Sequence, residues 1–118
     1  MSDDLLVERL GPVFGQGVLC LHGPMTAENL LPFQNAIRNE AASIVILDLT
    51  GVPYIDSAGL GALVSAYISC HKLGRQLVLA GINERILKLF EITRVDTLFL
   101  MFPTPDEAID AFAAPARA

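Results

Sequence analysis

The run Ser43-Ile44-Val45-Ile46-Leu47-Asp48-Leu49 constrains this chain more than any other segment. It is aliphatic and β-branched almost throughout, without the polar–apolar alternation of a strand that wets one face. Such a strand needs cover on both sides, so it belongs in the middle of a largely parallel sheet packed between helices. The segments on either side of it should then be helical, and they are spaced accordingly.

Before it, Leu30, Phe33, Ala36 and Ile37 recur at helical intervals up to about Asn39. Pro32 is harmless only in a first turn, which puts the start of this helix near Ala27 to Asn29. After it, Thr50-Gly51-Val52-Pro53 turns the chain, and from Ser57 the residues Leu60, Leu63, Val64, Tyr67 and Ile68 trace one helical face. Lys72 and Gly74 supply a cationic last turn and a glycine stop. Gln76–Ala80 and Leu98–Phe102 read as further strands. Asn83 caps a helix carrying Ile86, Leu89, Phe90 and Thr93, and Thr104-Pro105-Asp106-Glu107 opens a last one with a capping box. At the other end, Leu5–Phe14 and Val18–His22 form a hairpin across Gly15-Gln16-Gly17. The expected order is ββαβαβαβα: an α/β fold with a mixed, mostly parallel sheet. It forms one domain over residues 1–118, with a core from about Leu5 to Phe112 and short loose ends at Met1–Asp4 and Ala113–Ala118.

Composition narrows the function. An apolar fraction of 53% is high, but the uncharged helical stretch Ser57 to His71 is too short to span a bilayer. No membrane insertion is expected. Ser2, Asp3 and Asp4 stand where a leader would be basic, so the expected location is the cytoplasm. A net charge of −5, with its basic residues scattered, argues against direct nucleic-acid binding. Cys20 and Cys70 are too few for a disulfide scaffold.

Chemistry concentrates in Tyr54-Ile55-Asp56-Ser57-Ala58-Gly59-Leu60-Gly61. A hydroxyl sits at a strand-to-helix junction, where unpaired backbone N–H groups welcome an anion such as a phosphate. Ser57 reads first as a helix cap. Asp56 beside it is a poor choice for pure capping. Gly59 and Gly61 lower helix propensity and remove side-chain cover, which lets another protein approach the backbone.

Enzymatic readings fit less well. Gly59-Leu60-Gly61 starts a dinucleotide fingerprint, but Val64 stands where its third glycine belongs, and no phosphate-binding Gly-Lys-Ser/Thr loop exists. Ser57 lacks the preceding glycine of a nucleophile elbow; of the two possible bases, His71 lies about 21 Å along the same helix and His22, which distance does not exclude, has no identifiable orienting acid. Cys20-x-His22 on one strand face and the adjacent Cys70-His71 could begin a metal site, yet no CxxC pair or HxxxH spacing supports it, and small buried cysteines are the commoner reading. Asp48 occupies a phosphoacceptor's position at a strand end, but the acidic cluster and late lysine of a receiver are missing. No cofactor or metal is expected.

At these residues the chain resembles the STAS-domain family, and within it the stand-alone bacterial anti-sigma factor antagonists. The match runs through Val45–Leu49, Val52–Ile55, Asp56-Ser57-Ala58-Gly59-Leu60-Gly61, Gly74–Ala80 and Asn83–Phe90, in the same element order. The resemblance implies a non-enzymatic binding module. Its unphosphorylated form would bind an anti-sigma factor that is also a serine kinase and so release a sigma factor. Phosphorylation at Ser57 would end the complex, and a serine phosphatase would reset it. It also implies a contact loop of Asp56, Ala58, Gly59, Leu60 and Gly61, with Pro24, Met25, Thr26, Ala27, Pro53 and Tyr54 completing the docking surface, and it leaves room for a weak homodimer. Many relatives carry an acid in the loop after the second strand, whereas this one reads Gly23-Pro24-Met25-Thr26. The alternative within the family is a constitutive scaffold or subunit, in a stress-signalling assembly or a membrane lipid transporter.

Overall fold

Val45, Ile46 and Leu47 are each 0% exposed, as a central strand covered on both faces requires. The computed structural model that shows this describes residues 4–113. The loose ends expected at the termini therefore fall largely outside the described residues. In chain order the elements are β1 (Leu6–Val13), β2 (Gln16–His22), α1 (Leu31–Asn39), β3 (Ile44–Gly51), α2 (Ser57–Lys72), β4 (Gln76–Ala80), α3 (Glu84–Thr93), β5 (Leu100–Phe102) and α4 (Pro105–Phe112). This is the expected ββαβαβαβα order.

The sheet runs β1-β2-β3-β4-β5. β1 pairs with β2 antiparallel, and every later neighbour is parallel. Alternate residues of the strands feed two cores. Leu19, Leu21, Val45, Leu47, Leu49 and Leu79 meet Phe33 of α1, Leu63 of α2, and Ile86 and Phe90 of α3. On the opposite face Val18, Ile46, Val78 and Ala80 meet Ala108 of α4, with Phe102, Ile109 and Phe112 packed around them. Three helices thus cover one side of the sheet and one covers the other.

Three local expectations shift. The hairpin turn is Phe14-Gly15, with φ of 51° and 78°, rather than Gly15-Gln16-Gly17. Positive φ at both central residues matches the twist of the flanking strands. Gln16 and Gly17 are buried strand residues, and a Cβ on Gly17 would meet the Glu40 carboxylate. α1 starts at Leu31, later than Ala27–Asn29, because Thr26–Asn29 closes a turn of its own. There the Asn29 Oδ1 accepts the Thr26 amide at 2.8 Å. β5 starts at Leu100, since the Leu98 amide bonds back to Val95 in a turn.

The core face of α2 includes the expected Leu60, Leu63, Val64 and Tyr67 but not Ile68. Gly59, Leu63, Ala66 and Cys70 are buried, while Ile68 is 46% exposed. At the opposite end of the sheet from Ser57, two arginines clip the α1–β3 connection. Arg9 Nε donates to Glu40 Oε1 at 2.7 Å, and Arg75 donates to the carbonyls of Glu40 and Ala42 at 2.7 and 2.8 Å.

Candidate functional site: the N-terminus of α2

β2 and β3 continue past their regular ladders, and this extension builds the site. Gly23 N–H donates to Gly51 at 2.9 Å. Met25 and Ile55 then form a parallel bridge, with Met25 N–H on Tyr54 and Asp56 N–H on Met25. The two loops leaving adjacent strands are thereby locked side by side. Met25 is 0% exposed and belongs to the main core, and Pro24 is buried as well. Neither can form part of a docking surface, contrary to the sequence expectation. Their burial arises from pairing with Tyr54–Asp56, which local sequence does not reveal.

Asp56, not Ser57, is the N-cap of α2. Its Oδ1 accepts the Gly59 amide at 2.9 Å, while Oδ2 accepts the Ala27 amide at 3.1 Å. The Gly59 amide, then that of Ala27, hold the Asp56 carboxyl below the usual aspartate range despite a smaller opposing effect of desolvation. The expectation that Asp56 caps poorly is therefore reversed. The anion seat of the helix already holds a carboxylate, belonging to the residue before Ser57.

Ser57 is the first helical residue and is exposed. Its hydroxyl has no side-chain hydrogen bond among the described residues, so it costs no internal contact to modify. Around it Ala27, Pro53 and Gly61 are exposed, and Thr26, Tyr54, Ala58 and Leu60 are half-buried. The two glycines have different reasons. A Cβ on Gly59 would collide with the Met25 carbonyl and lie 2.7 Å from Ile55 Cγ2, so Gly59 is there for loop packing rather than access. Gly61 faces open space.

The residues tested for other chemistry lie elsewhere. Asp48 Oδ1 accepts the Thr50 amide at 3.0 Å and the Thr50 hydroxyl at 2.6 Å, a strand-end turn. Cys20 is 8% exposed between Glu8 and Asp48. Burial first, then Asp48 and Glu8, push its thiol up to about 11. His22 is exposed, 3.8 Å from Glu8. No group of three or more metal-ligating side chains occurs among the described residues, and no helix there is long and apolar enough to cross a membrane. α3 also borders the site: Arg85 lies over the Tyr54 ring at 5.1 Å. Sequence reading missed this neighbour, because only the fold brings α3 beside the β3–α2 loop.

Fold and site together define a small α/β domain that presents an exposed serine hydroxyl at the start of a tightly capped helix. The STAS domain family model matches residues 6–108, and the chain belongs to that family. An anti-sigma-B factor antagonist of Listeria monocytogenes is 46% identical over 50 residues, which is 42% of this chain and only 44% of that relative's length. The crystal structure of an anti-sigma factor antagonist from Mycobacterium paratuberculosis superposes with a TM-score of 0.83 at 20% identity, covering 97% of this chain and 98% of that one. The Bacillus cell-fate determinant SpoIIAA in its phosphorylated form gives 0.67 at 18% identity, over 90% and 98%. These two likenesses establish the shared fold.

Proposed function

We propose that this chain is an anti-sigma factor antagonist switched at Ser57. Unphosphorylated, it binds an anti-sigma factor that is also a serine kinase, and the sigma factor is released. The kinase then transfers the γ-phosphoryl group of ATP to the Ser57 hydroxyl, leaving ADP, and the complex ends. A serine phosphatase restores the hydroxyl. The chain acts as substrate and binding partner rather than catalyst, in the cytoplasm where sigma factors work.

The observation that carries this reading is the exposed Ser57 hydroxyl directly after the Asp56 cap. Phosphorylation adds about −1.5 to −2 charges. Because the Asp56 carboxylate already occupies the helix N-terminus, the new charge finds no free seat there and instead faces a like charge. At a close interface that means repulsion and desolvation, and a loss of about 2.8 kcal/mol lowers affinity a hundredfold. The names of the Listeria relative and of phosphorylated SpoIIAA support the same assignment.

Intact-mass spectrometry after incubation with the anti-sigma kinase and ATP tests it. One added phosphate on the wild type and none on Ser57→Ala are expected. Ser57→Ala should still bind the kinase, and Ser57→Asp should not. Equal binding of Ser57→Asp together with no phosphate on the wild type would overturn the assignment.

A further inference from the structure

α3 carries two stripes. Ile86 and Phe90 point into the core, whereas Arg85, Lys88, Leu89 and Ile92 recur at i, i+3, i+4 and i+7 along a second face, with Leu89 half-buried against the core at its edge. That face lines a shallow groove of about 310 Å³ with Tyr54 and Ile55, and Ile92 stands 72% exposed at its rim. Asn83 ties the start of α3 to the β3–α2 loop by donating to the carbonyls of Val52 and Pro53 at 3.3 and 3.1 Å. The groove is therefore continuous with the loop that carries Ser57.

We propose that this groove is the second half of the partner surface and receives an acidic–apolar segment of the anti-sigma kinase. The proposal rests on the functional reading above and adds where and by what chemistry the partner is held. In a chain of net charge −5, two cations line this groove and no carboxylate does. Glu84 and Glu91, at i−4 and i+3 from Lys88, border the groove beyond that lysine without lining it. The Arg85–Tyr54 stack favours one arrangement of the two side chains before binding, which reduces the rotamer freedom lost on docking. Tyr and Arg are also the residue types that dominate binding energy at interfaces. Leu89 and Ile92 supply the apolar ground between the cations, which calls for aliphatic side chains flanked by Asp or Glu.

A larger groove of about 520 Å³ between α1 and α2 has a different character. Its two arginines sit at the end away from Ser57. Arg75 is already bound to the Glu40 and Ala42 carbonyls, and Arg38 bonds to Asn35. Ala58 of the contact loop lines the near end of this groove, so only its middle, around Ser65, serves as the control surface.

The test is calorimetric titration of the anti-sigma kinase at low and high salt. The Arg85→Glu/Lys88→Glu double variant should bind about tenfold or more weakly, with a flattened salt dependence. Ile92→Ala should weaken binding without changing the salt dependence, and Ser65→Arg in the control groove should leave it unchanged. All four positions are solvent-exposed, and thermal melts check that each variant remains folded. If the wild type binds no anti-sigma kinase, the functional reading falls and this surface falls with it. If the wild type binds and the double variant binds within twofold of it, only the α3 surface is overturned. A loss on Ser65→Arg with none on the double variant overturns it equally, by placing the partner between α1 and α2.

Discussion

The Asp56 carboxylate accepts the backbone amide of Ala27, 29 residues earlier in the chain, while its other oxygen caps α2 through Gly59. One side chain thus fixes the loop after β2 to the start of the helix that presents Ser57. Asp56→Asn keeps an acceptor for one of these amides but loses the charge; Asp56→Ala loses both bonds. Urea unfolding should rank wild type above Asn and Asn above Ala at pH 7. Because the native carboxyl titrates below its unfolded value, its stabilisation is present above the unfolded aspartate value of about 3.9. It disappears as pH falls through the lower native value. The gap between wild type and Asp56→Asn should therefore close in acid, and a gap of constant size down to pH 2 would contradict this origin.

Gly59 and Gly61 separate packing from propensity within one helix. Replacing a mid-helix glycine by alanine gains about 0.5–1 kcal/mol where space allows. Gly61 has that space, so Gly61→Ala should raise the unfolding midpoint. Gly59→Ala must displace the Met25 carbonyl, which is held by the Asp56 amide, and should lower it despite the same propensity gain. Opposite signs for the pair are the expected reading of a denaturation series.

What was legible in the sequence follows from which forces are local. The β3 run, the Thr104 cap and the Asn83 cap are set by neighbours a few residues apart, and all three stand in the structure where the sequence puts them. The Asp56-Ser57 pair is legible as the start of α2, but the cap is Asp56 rather than Ser57. Either residue type can cap; Asp56 does so through the Gly59 amide, and what local sequence does not reveal is that its other oxygen holds the Ala27 amide. The resemblance puts Met25 in the docking surface, with the rest of the loop after β2. Its burial comes from a bridge to Ile55, which no local pattern encodes. The α3 stripe escaped for the same reason: Arg85 acquires meaning only when Tyr54 lies beneath it.

Met25 should consequently behave as a core residue. Truncating a fully buried methionine costs about 2–5 kcal/mol. Met25→Ala should fall in that range by urea unfolding, and Met25→Leu, which keeps most of the volume, should lose under about 1.5 kcal/mol. A Met25→Ala variant as stable as wild type would mean that the loop pairing does not hold in solution.

Glu40 offers a second acid-sensitive contact, remote from Ser57. Its side chain is 1% exposed, and its two oxygens accept from Arg9 at 2.7 and 3.2 Å and from the Ala42 amide at 3.0 Å. The Arg9 hydrogen bond, against desolvation, holds the Glu40 carboxyl below the usual glutamate range. The sign is the same as for Asp56. Stabilisation is present above the unfolded glutamate value of about 4.3 and is lost as pH falls through the native one. Glu40→Gln should lower stability at pH 7 and flatten the acid limb of the stability curve. The sites share no hydrogen-bond partner, so the Glu40→Gln/Asp56→Asn double variant should show the sum of the two effects within about 0.5 kcal/mol. Binding of the anti-sigma kinase separates them further: Glu40→Gln should leave it intact, because the Arg9–Glu40 pair holds the end of the sheet that Ser57 does not occupy. A loss of kinase binding in a folded Glu40→Gln protein would show that the partner reaches around to that end.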